Sequence, residues 1–118
     1  MLIAVDAAGG EHAPYEVVKG AVKAAQDHEL DIALVGRRGV LHVLASRYAK
    51  KHGFTIIEAS QVIEPNESPI EAIRSKPDSS IVVGINLVRE GIADAFVSAG
   101  NSGAVAAAAL LNLGKIEG

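Results

Sequence analysis

Four short apolar runs are spaced along the chain and alternate with longer segments in which apolar residues recur at helical spacing. Short runs rich in Val, Ile, Leu and Ala are typical of strands that are buried on both faces of a sheet. The pattern therefore predicts strands at residues 2–5, 31–35, 54–58 and 93–97.

Two of the intervening segments predict amphipathic helices in the first half of the chain. The first has Pro14 in its opening turn, where a missing N–H is tolerated, and its buried stripe comprises Val18, Ala21, Val22 and Ala25. The second spans residues 38–51 and has Gly53 at its C-cap, and its apolar face comprises Leu41, Leu44, Ala45 and Tyr48.

The segment at 59–77 departs from this alternation because prolines interrupt it repeatedly. Its one regular feature is Ser68-Pro-Ile-Glu71, a capping box that opens a short helix. We therefore predict an exposed loop that holds a short helix. A longer helix begins at residue 79 or 80 and stops at Gly91, and an Ala-rich helix follows the last predicted strand.

Strands that alternate with helices favour a parallel sheet with helices on both faces. We predict a three-layer α/β/α fold with a largely parallel sheet, forming a single domain over residues 1–118. Hydrophobic residues make up 49% of the chain and aromatic residues only 3%, so the core is built from Ala, Val, Ile and Leu. A chain of this length buries about two-thirds of its unfolded surface, which suffices for one core.

Charge and composition exclude several functional classes. The net charge is −3 and basic residues occur in runs no longer than pairs such as Arg37-Arg38, so nucleic acid is not a predicted partner. Cysteine is absent, which excludes a disulfide or thiolate nucleophile and is compatible with a cytoplasmic protein. Asp6 comes too early for a signal peptide, and the apolar stretch at 104–111 is far shorter than the roughly 20 residues that cross a bilayer.

Two glycine loops carry the candidate chemistry. The first, residues 6–14, reads Asp-Ala-Ala-Gly-Gly-Glu-His-Ala-Pro, and the second, residues 98–103, reads Ser-Ala-Gly-Asn-Ser-Gly. Each follows a predicted strand and precedes a predicted helix, where main-chain N–H groups lack intrahelical acceptors and the helix dipole favours an anion. Because parallel strands end at one edge of a sheet, we expect both loops to lie there and bind phosphate.

These two loops, together with Lys-Pro-Asp-Ser-Ser at 76–80, occur in the order seen in PlsX-type phosphate acyltransferases, and the chain resembles that family over nearly its whole length. Three positions depart from the family pattern, because Ala8, Glu11 and Ser102 stand where Met, Asp and Thr are usual. The last two substitutions keep the carboxylate and the hydroxyl. Family members continue well beyond this length, so the resemblance implies the amino-terminal part of a longer protein.

The resemblance implies an enzyme that moves a fatty acyl group from acyl carrier protein to inorganic phosphate, giving acyl phosphate for phospholipid synthesis. It also implies a cytoplasmic homodimer loosely associated with the inner face of the membrane. The implied fold is similar to that of phosphate acetyltransferases and isocitrate-type dehydrogenases. The isolated chain is expected to have little activity and to self-associate through surfaces that the longer protein covers.

The residues are consistent with this chemistry, since phosphate is already a nucleophile and a thiolate leaves a thioester readily. The reaction needs phosphate held in line with the carbonyl and donors aimed at the developing oxyanion, without a metal, a cofactor or a catalytic triad. His12 is the candidate catalytic donor. The candidate substrate-binding residues are Asp6, Gly9, Gly10, Arg74, Lys76, Gly100, Asn101, Ser102 and Gly103.

Each candidate also has a structural interpretation. Asn101 or Ser102 would serve as an ordinary helix cap, Asp6 would cap its turn or orient the loop backbone, and Gly9 and Gly10 would form a tight turn. A loop histidine such as His12 bonds readily to a nearby carbonyl, and exposed basic residues such as Arg74 and Lys76 are commonly just solvated. For the whole chain, the alternatives to an enzyme are a non-catalytic phosphate- or phosphometabolite-binding module and a purely structural fragment.

Overall fold

The computed structural model of the chain describes residues 1–10, 13–28, 30–48 and 54–113. Within these ranges strands and helices follow one another almost strictly. The elements are β1 (Leu2–Asp6), α1 (Tyr15–His28), β2 (Asp31–Gly36), α2 (Arg38–Tyr48), β3 (Thr55–Glu58), α3 (Pro69–Ser75), α4 (Ser80–Arg89), β4 (Ala95–Val97) and α5 (Ser102–Asn112).

The strands form one sheet in the order β3-β2-β1-β4, and every neighbouring pair is parallel. β1 is central, with Val5 paired to Leu34 of β2 on one side and to Val97 of β4 on the other. α1 and α2 cover one face of this sheet, and α4 covers the other. The predicted three-layer α/β/α fold with a parallel sheet is confirmed.

Side chains of β1, β2 and β3 alternate between two cores, one on each face of the sheet. On one face, the buried stripe predicted for α1 is confirmed, and it packs with Leu41, Leu44 and Ala45 of α2 against Ile32 and Leu34 of β2. On the other face, Ala4 and Val35 meet Leu87 of α4. Small and branched aliphatic side chains fill both layers, as the composition predicted.

A third cluster joins α3, α4 and α5. Ala104 and Ala108, each with no exposed surface, lie against Ile81 and Ile85 of α4. Alanines allow the α5 backbone to approach its neighbours closely, which explains why this helix is so rich in them. Within the described ranges no helix has both the length and the apolar character needed to cross a bilayer.

The segment at 59–77 differs from its prediction as an exposed loop. Ile63, Ala72 and Ile73 are buried in the third cluster, because α3 packs against α5. The short helix is present, but the capping box is not formed: Ser68 has extended N-cap geometry and makes no side-chain hydrogen bond. Burial of one face of α3 therefore stabilises it in place of the predicted cap.

Some predicted boundaries shift by a few residues. Pro14 precedes α1, and its carbonyl accepts from the Val18 amide, so the proline lies just outside the helix. β4 is confined to Ala95–Val97, shorter than the predicted 93–97. Gly53 and the end predicted for the second helix lie outside the described residues.

Candidate functional site

The two glycine loops meet at the carboxyl edge of the sheet, because the strands that precede them, β1 and β4, are neighbours. A Cβ placed on Gly9 would come within 2.5 Å of Asp6 Oδ2 and 3.2 Å of the Gly100 Cα. Gly10 has φ of +100° and faces Ala99 at a similar distance. Glycine is therefore required at 9 by the close approach of the other loop and at 10 by its backbone conformation.

Asp6, the last residue of β1, connects the two loops through hydrogen bonds of its buried side chain. Its side chain is 1% exposed, and its Oδ1 accepts from the amides of Ala8 and Gly9 at 3.0 and 2.8 Å. Its Oδ2 accepts from the Ser98 hydroxyl at 2.7 Å, and the Ser98 oxygen in turn accepts from the Gly100 amide at 3.0 Å. Three donors compensate the buried carboxylate, which thus orients the backbone of both loops.

These hydrogen bonds reduce the number of main-chain amides that the predicted anion site can offer to a ligand. The amides of Ala8, Gly9 and Gly100 were expected to point outward, but their hydrogens are directed to internal acceptors. What remains is the first turn of α5, where the amides of Ser102 and Gly103 precede any intrahelical acceptor. Anion binding here would therefore depend on the helix start more than on the glycine loops.

Asn101 connects the start of α5 to the segment opposite it. Its Oδ1 accepts from the Ala104 amide at 3.0 Å, which makes it the N-cap predicted as its structural alternative. Its Nδ2 lies 3.1 Å from the Glu64 carbonyl, 3.4 Å from that of Pro65 and 3.3 Å from that of Glu67. One side chain thus caps the helix and fixes the chain at 64–67.

The segment at 62–67, which we call the cavity wall, is also held in place by contacts with Lys76. Lys76 donates to the Val62 carbonyl and forms an ion pair with Glu67, both at 2.7 Å, and Glu67 accepts from the Glu64 amide at 2.6 Å. The Lys76 hydrogen bond, followed by that of Glu64, holds the pKa of Glu67 below its ordinary value. Lys76, predicted to steer an anionic substrate, instead has its charge paired within the wall.

A cavity of about 640 Å³, which we call the loop cavity, lies between the glycine loops and the cavity wall. It is lined by Ala8, Gly10, Val62, Ile63, Glu64, Pro65, Ala99, Gly100 and Asn101. A smaller cavity of about 340 Å³, which we call the apolar groove, adjoins it and shares Ala8 and Val62. The groove is lined in addition by Ala7, Pro14, Tyr15, Arg37, Val40 and Leu41.

The structure therefore brings together only part of the predicted site. Gly10, Gly100 and Asn101 line the loop cavity, while Asp6 and Gly9 lie beneath it. Gly103 faces Pro69 of α3 instead, and a Cβ there would come within 2.8 Å of the proline ring. Arg74, exposed on α3, lines neither cavity. His12 and the side chain of Ser102 lie outside what the structure describes.

Arg37 is a candidate that the sequence reasoning missed. It directly follows β2, so it lies at the same edge of the sheet as the glycine loops, and its guanidinium donates to the Ser60 carbonyl at 3.4 Å. Among the described residues that line either cavity it is the one cation. Its position two residues after the predicted strand at 31–35 was the signal available. The backbone of the cavity wall carried no comparable signal.

Gly9→Ala tests the close contact between the loops. The added Cβ meets Asp6 Oδ2 and the Gly100 backbone, so we expect the free energy of unfolding to fall by about 1–3 kcal/mol, as for other overpacked sites. Gly20→Ala is the matched control, because nothing lies within 4 Å of its added Cβ in the middle of α1. That variant should gain about 0.5–1 kcal/mol in urea denaturation. Equal effects of the two substitutions would contradict the contact.

The ion pair in the cavity wall predicts a pH dependence of stability. Because the folded-state pKa of Glu67 lies below its ordinary value of 4.5, the stabilisation is complete above that value and is lost as the pH falls through the folded pKa. The urea midpoint of the wild type should therefore exceed that of Glu67→Gln at neutral pH, and the difference should disappear in acid. Glu71→Gln on α3 is the control. If the difference in urea midpoint between wild type and Glu67→Gln stayed constant from neutral pH to acid, the ion pair would not be the cause of a pH-dependent stability.

The fold and the loop cavity define a parallel α/β/α domain with a cavity at the carboxyl edge of its sheet, which is where α/β domains commonly bind their ligands. Residues 1–118 match a family model described as fatty acid synthesis protein. The chain belongs to this family.

Several relatives are named phosphate acyltransferase. The protein of Dehalococcoides mccartyi is 52% identical over 118 residues, which are 100% of this chain and 34% of that protein. The protein of Heliobacterium modesticaldum is 52% identical over 121 residues, covering 100% of this chain and 36% of the relative. The protein of Thermoanaerobacterium thermosaccharolyticum is 45% identical over 119 residues, with 100% and 34% covered. The chain thus spans about a third of the length of these relatives.

Proposed function

We propose that this chain contributes the phosphate and thioester site of a phosphate acyltransferase that moves a fatty acyl group from acyl carrier protein to inorganic phosphate. The observation that carries the proposal is the loop cavity, which opens beside the first turn of α5 in a chain whose relatives are named phosphate acyltransferase. Phosphate would lie at the helix start, where first-turn amides without an intrahelical acceptor and the helix dipole favour an anion.

The reaction joins one phosphate oxygen to the carbonyl carbon of the thioester and breaks the carbon–sulfur bond. A tetrahedral oxyanion forms on the way, and the thiolate departs and takes up a proton from water. The α5 amides are suited to hold phosphate in line with the carbonyl, and Arg37, exposed at the same edge of the sheet, is suited to attract the anion toward it. His12 remains the predicted donor to the oxyanion or to phosphate.

The remaining expectations belong to the complete protein. We propose that it is a cytoplasmic homodimer that associates peripherally with the inner face of the membrane and supplies acyl phosphate to phospholipid synthesis. Acyl carrier protein would deliver the thioester to the open side of the loop cavity. The exposed apolar residues at the end of α5, Leu110, Leu111 and Leu113, are the kind of surface that the rest of a longer chain or a second copy covers.

The deciding experiment incubates the complete protein with acyl-acyl carrier protein and either phosphate or sulfate, and follows released thiol together with acyl phosphate observed directly by ³¹P NMR. We expect both products with phosphate and neither with sulfate. A non-catalytic phosphate-binding module would instead show saturable binding of phosphate without loss of thioester. Release of thiol that does not depend on phosphate would refute the proposed transfer.

A further inference from the structure

The apolar groove borders the loop cavity on one side and solvent on the other. Ala8 and Val62 line both spaces, so they form a common boundary. Beyond them the groove is bordered by Tyr15 at the start of α1 and by Val40 on α2, which are 61% and 47% exposed. Exposure of large apolar side chains to water is unfavourable, so a ligand that covers them at the rim of a cavity gains binding free energy.

We propose that the apolar groove holds the methylenes of a long acyl chain that follow its first few carbons. This inference rests on the proposed function, because it assigns a place to one part of the same substrate. An acyl thioester has a polar reacting carbonyl joined to a hydrocarbon chain, and it therefore requires a polar space continuous with an apolar one. The loop cavity and the groove provide that sequence of environments across their shared boundary at Ala8 and Val62.

Charge is confined to one part of the groove lining. The Arg37 guanidinium donates to the Ser60 carbonyl at 3.4 Å, which leaves Val40 and Leu41 to contact the hydrocarbon. Asp6, the buried carboxylate beneath the loops, has its oxygens directed to internal donors. The hydrocarbon would thus be placed along the side of the groove formed by uncharged residues.

The size of the groove limits how much chain it holds. A volume of about 340 Å³ lies at the lower end of the roughly 300–1,000 Å³ typical of ligand pockets, so it suits a segment of a long acyl group. Each methylene that it buries should raise kcat/KM by up to about fourfold. We expect this gain to level off once the chain extends past Tyr15 into solvent.

Val40→Trp tests the proposal by filling the groove. Val40 lies in the first turn of α2, and its exposure leaves room for an indole without disturbing the core. Val43→Trp is the matched control, since Val43 lies one turn further along α2, is 58% exposed and lines neither cavity. Val40→Asp is a second variant that adds charge with little bulk at a position near a helix start, where a carboxylate favours folding.

The experiment measures kcat/KM of the complete protein for hexadecanoyl and butanoyl thioesters of acyl carrier protein, with phosphate as acceptor. We expect Val40→Trp and Val40→Asp to lower the hexadecanoyl-to-butanoyl ratio about tenfold, the loss of between one and two buried methylenes, and Val43→Trp to leave it unchanged. A ratio unchanged in both Val40 variants, or equal losses on both substrates, would overturn the inference while the proposed function stands. A wild type that forms no acyl phosphate from either thioester would overturn both.

Discussion

Asp6→Ala should lower the free energy of unfolding by about 3–5 kcal/mol, because it removes the acceptor of three hydrogen bonds to a buried carboxylate. Loss of the carboxylate leaves the amides of Ala8 and Gly9 and the Ser98 hydroxyl without their acceptor. Each unsatisfied buried donor costs about 1–3 kcal/mol, and domain stability is commonly about 5–15 kcal/mol. Urea denaturation of the chain measures this loss directly.

Two further variants make the result specific. Asp94→Ala removes an exposed carboxylate that accepts from the Leu2 amide at 2.8 Å, at the opposite end of β1, and should cost about 1 kcal/mol or less. Asp6→Asn keeps one oxygen for the two loop amides and should cost about 1–2 kcal/mol. If Asp6→Ala proved no worse than Asp94→Ala, the carboxylate would not be what holds the glycine loops together.

Most of the fold was predictable because the spacing of apolar residues along the chain indicates which positions are buried. The stripe of α1 and the apolar strands gave the right elements, and their alternation gave the parallel sheet. The segment at 59–77 was misjudged because its buried residues, Ile63 and Ile73, pack against α5, which is distant in sequence. No local pattern carries such a contact, and three prolines in the segment suggested exposure instead.

The site was predictable in position but less so in detail. Strand order placed both glycine loops together, as expected from parallel topology. The direction of each amide depends on side chains across the interface, and Asp6 and Ser98 are 92 residues apart. Lys76 is a similar case, because its pairing with Glu67 depends on how the cavity wall folds back against α3. A basic residue near a predicted site cannot be assigned to a ligand until such internal partners are known.

Asn101→Ser should lower kcat/KM of the complete protein for acyl phosphate formation by about 100-fold, the scale of a misplacement near 1 Å. Serine keeps a cap for α5, since its hydroxyl can accept from the Ala104 amide, but it lacks the Nδ2 group that bonds to the carbonyls of Glu64, Pro65 and Glu67. The cavity wall would then be released from α5 while the helix itself persists.

Amide hydrogen exchange on the chain separates this effect from any failure of the enzyme. Exchange at residues 62–67 should accelerate in Asn101→Ser while exchange within α5 stays at the wild-type rate, because only the attachment of the wall is lost. Asn66→Ser is the matched control: it makes the same substitution at an exposed position of the wall and should leave both measurements unchanged. Wild-type exchange at 62–67 in Asn101→Ser would mean that Lys76 alone fixes the wall, and Asn101 would then act only as a helix cap.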